Sequence, residues 1–114
     1  MTTNYAHGHI AEQYAAAHLK QLGYKIIEIN WKTRYCEIDI VAEKSSCIYF
    51  VEVKYRQTAA QGFGLDYITP KKLKQMTFAA EFWVQDHNWK SDYYLAAIEV
   101  YGDHNLVSEL VIIE

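Results

Sequence analysis

Charged residues set inside two apolar runs restrict this chain more than any other feature. Residues 36–44 read Cys-Glu-Ile-Asp-Ile-Val-Ala-Glu-Lys, and residues 47–56 read Cys-Ile-Tyr-Phe-Val-Glu-Val-Lys-Tyr-Arg. β-Branched and aromatic side chains fit a pleated, half-buried surface. The segment Glu43-Lys44-Ser45-Ser46 suits a turn, so the two runs are expected to form a β-hairpin. Strand side chains alternate between faces, which puts Glu37, Asp39 and Val41 on one side of the first strand. The same rule puts Ile48, Phe50, Glu52 and Lys54 on one side of the second. A buried carboxylate without a partner is costly, so these charges must be neutralised by one another, by a metal ion or by function.

Two readings follow. In the structural one, Lys54 stands opposite Asp39 or Glu37 in an ion-pair ladder. In the chemical one, the whole set counts: Asp39, a 12-residue gap, then Glu52-Val53-Lys54. That set supplies hard oxygen ligands for Mg²⁺ and a nearby cation for a water or a phosphate.

The Asp…Glu-x-Lys hairpin resembles the core of the PD-(D/E)XK, or restriction-endonuclease-like, superfamily, and its surroundings resemble the YraN-like branch. The matching residues are Gly8, Glu12 and Ala15, Gly23-Tyr24, Asn30, Glu37-Ile38-Asp39, Phe50 to Arg56, Gly64, Lys72 and Ala80. The likeness is strongest from Gly8 to Val84. Archaeal Holliday-junction resolvases show a similar succession of Glu, Asp and Glu-x-Lys. The chain departs from the pattern in three places: Cys36 and Ala11 replace glycines, and Asp92-Tyr93-Tyr94 stands where an Arg, an aromatic residue and Asp are usual. What the resemblance implies is a three-layer α/β fold with a mixed central sheet flanked by helices. It also implies divalent-metal-dependent hydrolysis of a nucleic-acid phosphodiester, most readily in DNA of branched form. Asp39 and Glu52 would hold Mg²⁺ or Mn²⁺, and Glu12 and Lys54 would complete the catalytic set. Glu37 would support it from behind, while Arg56 and Lys72 would position the backbone. The competing expectation is a non-catalytic nucleic-acid-binding or protein-interaction module that keeps the fold, with the charged set as a structural network.

The 114 residues suit one domain, taken as 1–114, and the 51 % hydrophobic content excludes intrinsic disorder. No apolar run approaches the ~20 residues that cross a bilayer, and a polar start lacks a signal-peptide core, so the expected location is cytoplasmic. Cys36 and Cys47 have no metal-binding spacing and are expected to be reduced thiols. The charge is unevenly divided. Residues 1–80 hold seven acids and ten bases, whereas residues 81–114 hold seven acids and Lys90 alone. A balance of this kind permits phosphate binding by the first part without demanding it.

In chain order, about Tyr5 to Leu22 is expected to be an amphipathic helix buried along Ala11, Tyr14, Ala15, His18 and Leu22, with Glu12 on its flank. Gly23 suits a helix stop. Tyr24 to Ile29 follow as a strand. Lys32 and Arg34, beside Trp31 and Tyr35, fit either a site that grips a backbone and stacks a base or an ordinary polar loop. Residues 57–64 read as a loop. Thr69-Pro70 announces a second helix through about Gln85, with Thr69 as N-cap and a buried stripe of Leu73, Met76, Ala80 and Trp83 or Val84. Lys71, Lys72 and Lys74 crowd its first turn, either as a solvated face or around a phosphate. Phe78 and Phe82, off the stripe, would cover the sheet or meet a second subunit, so a homodimer is one expected assembly. Tyr93 to Tyr101 and Leu106 to Ile113 read as two strands joined by Gly102-Asp103-His104-Asn105. His18 belongs to the buried stripe, whereas His7, His9, His87 and His104 fall at the start of the chain or in turns.

Overall fold

The computed structural model describes residues 4–57, 65–102 and 106–114, with side chains from His9 onward and excluding that of Leu106. The expected loop with Gly64, the turn residues Asp103, His104 and Asn105, and the side chain of His7 lie outside the described residues.

Helix α1 (Asn4–Gln21) leads into three consecutive antiparallel strands: β1 (Lys25–Lys32), β2 (Glu37–Lys44) and β3 (Cys47–Arg56). Helix α2 (Pro70–Asp86) then carries the chain to β4 (Tyr93–Tyr101), which lies parallel to β3 from Ile48↔Tyr93 to Arg56↔Tyr101. Two short strands, β5 (Leu106–Val107) and β6 (Val111–Ile112), both pair antiparallel with β4. The sheet is therefore mixed, in the order β1-β2-β3-β4-β5 with β6 also on β4. Each helix covers one face. Ala11, Ala15, Ala16 and Leu19 of α1 pack on Ile40, Val51, Ile98 and Val100. Ala79, Ala80 and Trp83 of α2 pack on Val41, Ile48, Phe50 and Leu95.

Local chemistry explains the boundaries. Gly23 adopts φ 95°, and the Tyr24 and Gly23 N–H groups donate to the Leu19 and Lys20 carbonyls at 3.0 Å each, which is a Schellman stop. Ser45 and Ser46 both take positive φ, 53° and 62°, so the β2–β3 hairpin closes through a two-residue turn of the type that matches strand twist. Thr69 caps α2 by accepting from the Lys72 N–H at 3.1 Å, with Pro70 at the first helical position.

Three expectations need correction. The buried stripe of α1 runs through Ala11, Ala15, Ala16 and Leu19, while Tyr14 and Leu22 are exposed. Alanines let the helix approach the sheet closely, and the larger side chains are turned outward. β1 extends to Lys32 instead of ending at Ile29, so the polar segment is part of the sheet. The run from Leu106 to Ile113 is broken in two. Ser108 accepts the Glu99 N–H on its Oγ and donates its own N–H to the Glu99 carbonyl, both at 2.8 Å, so a side chain replaces one rung.

Candidate active site

Besides the bulge between Ile26 and Glu28 of β1, strand alternation fails at a second place, and the carboxylates gather there. Ile40 faces α1, yet Ile38, two residues away, packs on the α2 side with Val41. On the neighbouring strand, Ile29 packs toward α1 and Trp31 toward α2, with Asn30 between them at φ 59°. Asparagine tolerates this left-handed conformation better than most residues, so it lets the strand rotate. The recorded β2–β3 partners stop at Ile40↔Val51. Beyond them the Asp39 side chain takes over: the Val53 N–H donates to Asp39 Oδ2 at 2.8 Å. Asp39 is thus held at the mouth of a splayed strand pair.

Glu12 approaches from α1 and Glu52 from β3. Glu12 lies within hydrogen-bonding reach of Asp39, and its Oε1 is buried without a hydrogen-bond partner among the described residues. His9 Nδ1 is 4.0 Å from the same oxygen. Burial and neighbouring negative charge act together here. Asp39 is pushed up to about 6 by burial and by the charge of Glu12, with the Val53 N–H working the other way. Glu52 is pushed up to about 6 by burial and by the charge of Asp39, against the pull of Lys72. Glu12 is raised too, chiefly by burial. Three carboxyls that resist ionisation side by side form a site that a cation would relieve.

The ammonium that meets this group is that of Lys72, 2.9 Å from Glu52 Oε2. Burial opposes its charge, yet the Glu52 carboxylate holds Lys72 above the usual lysine value. Lys54, expected beside the carboxylates, has its Nζ 5.6 Å from the centroid of the Tyr67 ring. Arg56 approaches the same ring at 5.6 Å, and its Nε donates to Glu99 Oε2 in a buried ion pair. Its guanidinium is engaged by β4, away from solvent. Glu37 reaches Lys32 at 3.8 Å and is exposed. The structure therefore brings Glu12, Asp39, Glu52 and Lys72 together, and it sets Lys54 and Arg56 further along the same face of β3.

Sequence reasoning missed Tyr67. Both Lys54 and Arg56 approach its ring to 5.6 Å, and its hydroxyl is buried without a hydrogen-bond partner among the described residues. Burial, with the charges of Glu99 and Glu52, pushes the phenol above its usual value. Nothing in Leu65-Asp66-Tyr67-Ile68 marks this tyrosine as different from the other nine. The two cations at its ring come from β3, 11 to 13 residues earlier, and their approach is set by the tertiary fold.

Whether these residues fit a metal ion rests on the donor set. Asp39 and Glu52 offer hard oxygens, and the orphaned Glu12 Oε1 is an acceptor with nothing to accept, which suits Mg²⁺ or Mn²⁺. Among the described residues, no three His, Cys, Asp or Glu side chains are already arranged around a metal position. Glu52 is turned to Lys72. A bound ion would take the place of that ammonium as the partner of Glu52. Also among the described residues, no helix is long and apolar enough to cross a membrane.

The sequence profile of the family described as "Uncharacterised protein family UPF0102" matches residues 11–113. A UPF0102 protein of Cytophaga hutchinsonii is 38 % identical over 96 residues, covering 84 % of this chain and 85 % of that one. A UPF0102 protein of Syntrophus aciditrophicus is 39 % identical over 85 residues, covering 75 % and 67 %. A UPF0102 protein of Chlorobium phaeobacteroides is 46 % identical over 70 residues, of whose length the chain spans 55 %.

Proposed function

Since the chain belongs to the UPF0102 family, whose description states no activity, we propose from the site itself that it is a divalent-metal-dependent endonuclease acting on nucleic-acid phosphodiesters, with DNA as the first substrate to test. The observation that supports this reading is the convergence of Glu12, Asp39 and Glu52 from three different elements, with Asp39 and Glu52 both held near 6. On the same reading, the fold is the restriction-endonuclease-like one.

Asp39 and Glu52 would hold the ion, with Glu12 beside them. When bound, it supplies Lewis-acid polarisation of a phosphoryl oxygen and makes a water acidic enough to act as nucleophile. The chain's own residues do the rest. Asp39 is fixed by the Val53 N–H, so its carboxylate does not have to be ordered when a substrate arrives. Glu12, held above its usual value chiefly by burial, would take or give a proton beside the ion. Lys72, released from Glu52, is free to hold a phosphate near the start of α2, where the helix dipole also favours an anion. Lys54 extends from the same strand face as Glu52, and its cation would stabilise the charge that grows on the phosphoryl oxygens.

The Glu52–Lys72 contact favours a second reading, in which the charged set is a structural network in a nucleic-acid-binding module. One experiment separates the two. Wild type, Asp39→Asn and Lys54→Met are incubated with branched, linear duplex and single-stranded DNA and with RNA, in Mg²⁺, in Mn²⁺ and in EDTA. The endonuclease reading expects metal-dependent cleavage by wild type and a loss of about a hundredfold or more in each variant, with folding intact. A folded wild type that cuts no substrate of the panel, together with a Lys72→Met variant that is badly destabilised because Glu52 loses its partner, supports the binding module instead.

A further inference from the structure

A groove of about 1030 Å³ opens from Asp39 and Glu52 and runs along α2 past Met76 to Phe78, with Tyr35 on its other wall. Its volume reaches the upper end of the range for pockets that enclose one small molecule, and it is far larger than a metal ion needs. Two of its aromatic rings are unusually free: Tyr35 is 69 % exposed and Phe78 51 % exposed. They belong to a continuous set. Phe82 lies 6.4 Å from Tyr35, 6.2 Å from Phe78 and 6.0 Å from Trp31, ring centre to ring centre. The half-buried Phe82 and Trp31 thus anchor two rings that stand in water.

Tyr35 is held out by its turn. Thr33 Oγ1 accepts the Tyr35 N–H at 3.0 Å and the Cys36 N–H at 3.1 Å, while the Thr33 N–H donates to the Cys36 carbonyl at 2.9 Å. A turn closed by three hydrogen bonds fixes the backbone that carries the ring. Charges of both signs stand around the groove: Lys32, Lys72 and Lys74 line it together with Glu37, Glu81 and Glu114, besides Asp39 and Glu52 at its head. The Arg34 guanidinium lies 5.8 Å from the centre of the Tyr35 ring, and Lys72 and Lys74 line the α2 side.

We propose that this groove binds an unpaired stretch of nucleic acid, whose bases stack on Tyr35 and Phe78 while its backbone follows Lys72 and Lys74. Flat rings alternating with cations match a single strand, because an unpaired base offers a π-face and its phosphate a negative charge. An intact duplex buries its base faces and offers only edges and phosphates, which exposed rings cannot use. A purely apolar protein segment would meet a groove rimmed by charged side chains that it could not pair. The inference rests on the endonuclease reading for one point: a phosphate at Asp39 and Glu52 continues into this groove on the side that carries the rings.

The test uses the whole chain in EDTA, so that binding is read without cleavage. The probe is a 12-nucleotide DNA strand carrying one 2-aminopurine, alone and annealed to its complement. The expected result is tighter binding of the single strand than of the duplex, quenching of 2-aminopurine on binding, and a loss of about fivefold or more in single-strand affinity for Tyr35→Ala and for Phe78→Ala. Both side chains are exposed, so the melting temperatures of the variants should stay near that of wild type. Unchanged affinity in both folded variants, or duplex binding that exceeds single-strand binding without quenching, overturns the proposal. So does wild-type self-association that either substitution abolishes while strand binding is untouched, because the patch would then belong to a second copy. Failure of the two readings looks different. A wild type that binds and quenches the strand but cuts nothing in Mn²⁺ removes the nuclease and keeps the groove. A wild type that cuts, with aromatic variants that bind and cut equally well, removes the groove and keeps the nuclease.

Discussion

Asp39 stands at a conflict between two demands on one residue. It completes the hydrogen bonding of Val53, which favours the carboxylate, and it is buried beside Glu12, which favours the acid. Burial wins, and the balance has a definite sign. In the unfolded chain an aspartate has a pKa of about 3.9, whereas here Asp39 is pushed up to about 6. The folded protein therefore binds more protons than the unfolded chain between about pH 4 and pH 6, and stability from this group is fully present below about pH 4 and lost as pH rises through 6. Glu52 behaves alike. In EDTA, the free energy of denaturant unfolding should fall from pH 4 to 7 by on the order of 1–3 kcal/mol more in wild type than in Asp39→Asn, which keeps the shape and cannot ionise. Parallel pH profiles would show that Asp39 is not perturbed. At pH 7 the same carboxylates are costly to ionise, so Mg²⁺ or Mn²⁺ should raise the melting temperature of wild type by mass action, and Asp39→Asn should abolish the rise. An equal rise in both proteins would remove the metal site from the mechanism.

At the level of elements, legibility followed how local the determining chemistry is. The β2–β3 hairpin, the Thr69-Pro70 start of α2, the Gly23 stop and the full extent of β4 were readable because each is fixed by residues adjacent in sequence. The buried face of α1 was not, since several residues at helical spacing could have formed it, and the close approach of alanines to the sheet decides the matter. The face switch at Asn30 and Asp39 was also hidden. It depends on one positive φ in β1 acting across a strand pair. For the same reason Glu12, Asp39 and Glu52 were identifiable by type and spacing, whereas the exchange of Lys72 for Lys54 at Glu52 required the placement of α2. The Schellman stop offers a direct check. With φ 95° at Gly23, Gly23→Ala should destabilise the fold by about 1 kcal/mol or more through backbone strain, because the space around a new Cβ is free down to 3.7 Å. A neutral result in denaturant unfolding would mean that the α1 terminus can relax into another stop.

On the scale of the whole molecule, polar contacts tie α2 to the sheet and one strand of the sheet to the next, beside the apolar packing. Trp83 Nε1 of α2 donates to Glu28 of β1 at 3.1 Å, and Arg56 of β3 is paired with Glu99 of β4, which is only 6 % exposed. The second link lies at the C-terminal end of the parallel pair, beside Tyr67 and thus near Lys54. Removing one partner of a buried pair leaves the other uncompensated, so Arg56→Met should cost about 3–5 kcal/mol, and Arg56→Met/Glu99→Leu should recover a large part of it. A single variant within about 0.5 kcal/mol of wild type would show that the pair carries no structural role and would return Arg56 to the substrate.

The bond from Val53 to Asp39 has one more consequence. An amide proton that ends on a titrating carboxylate, instead of on a neighbouring strand's carbonyl, feels every change in that carboxylate's charge. Val53 is in this sense an indicator built into the backbone. Its nitrogen-15 and proton resonances should move with the protonation of Asp39 and again when an ion replaces the proton, while Val51, whose partner across the sheet is Ile40, should stay still. A single cross-peak would then report the electrical state of the centre in the intact protein, with no substrate present and no residue changed.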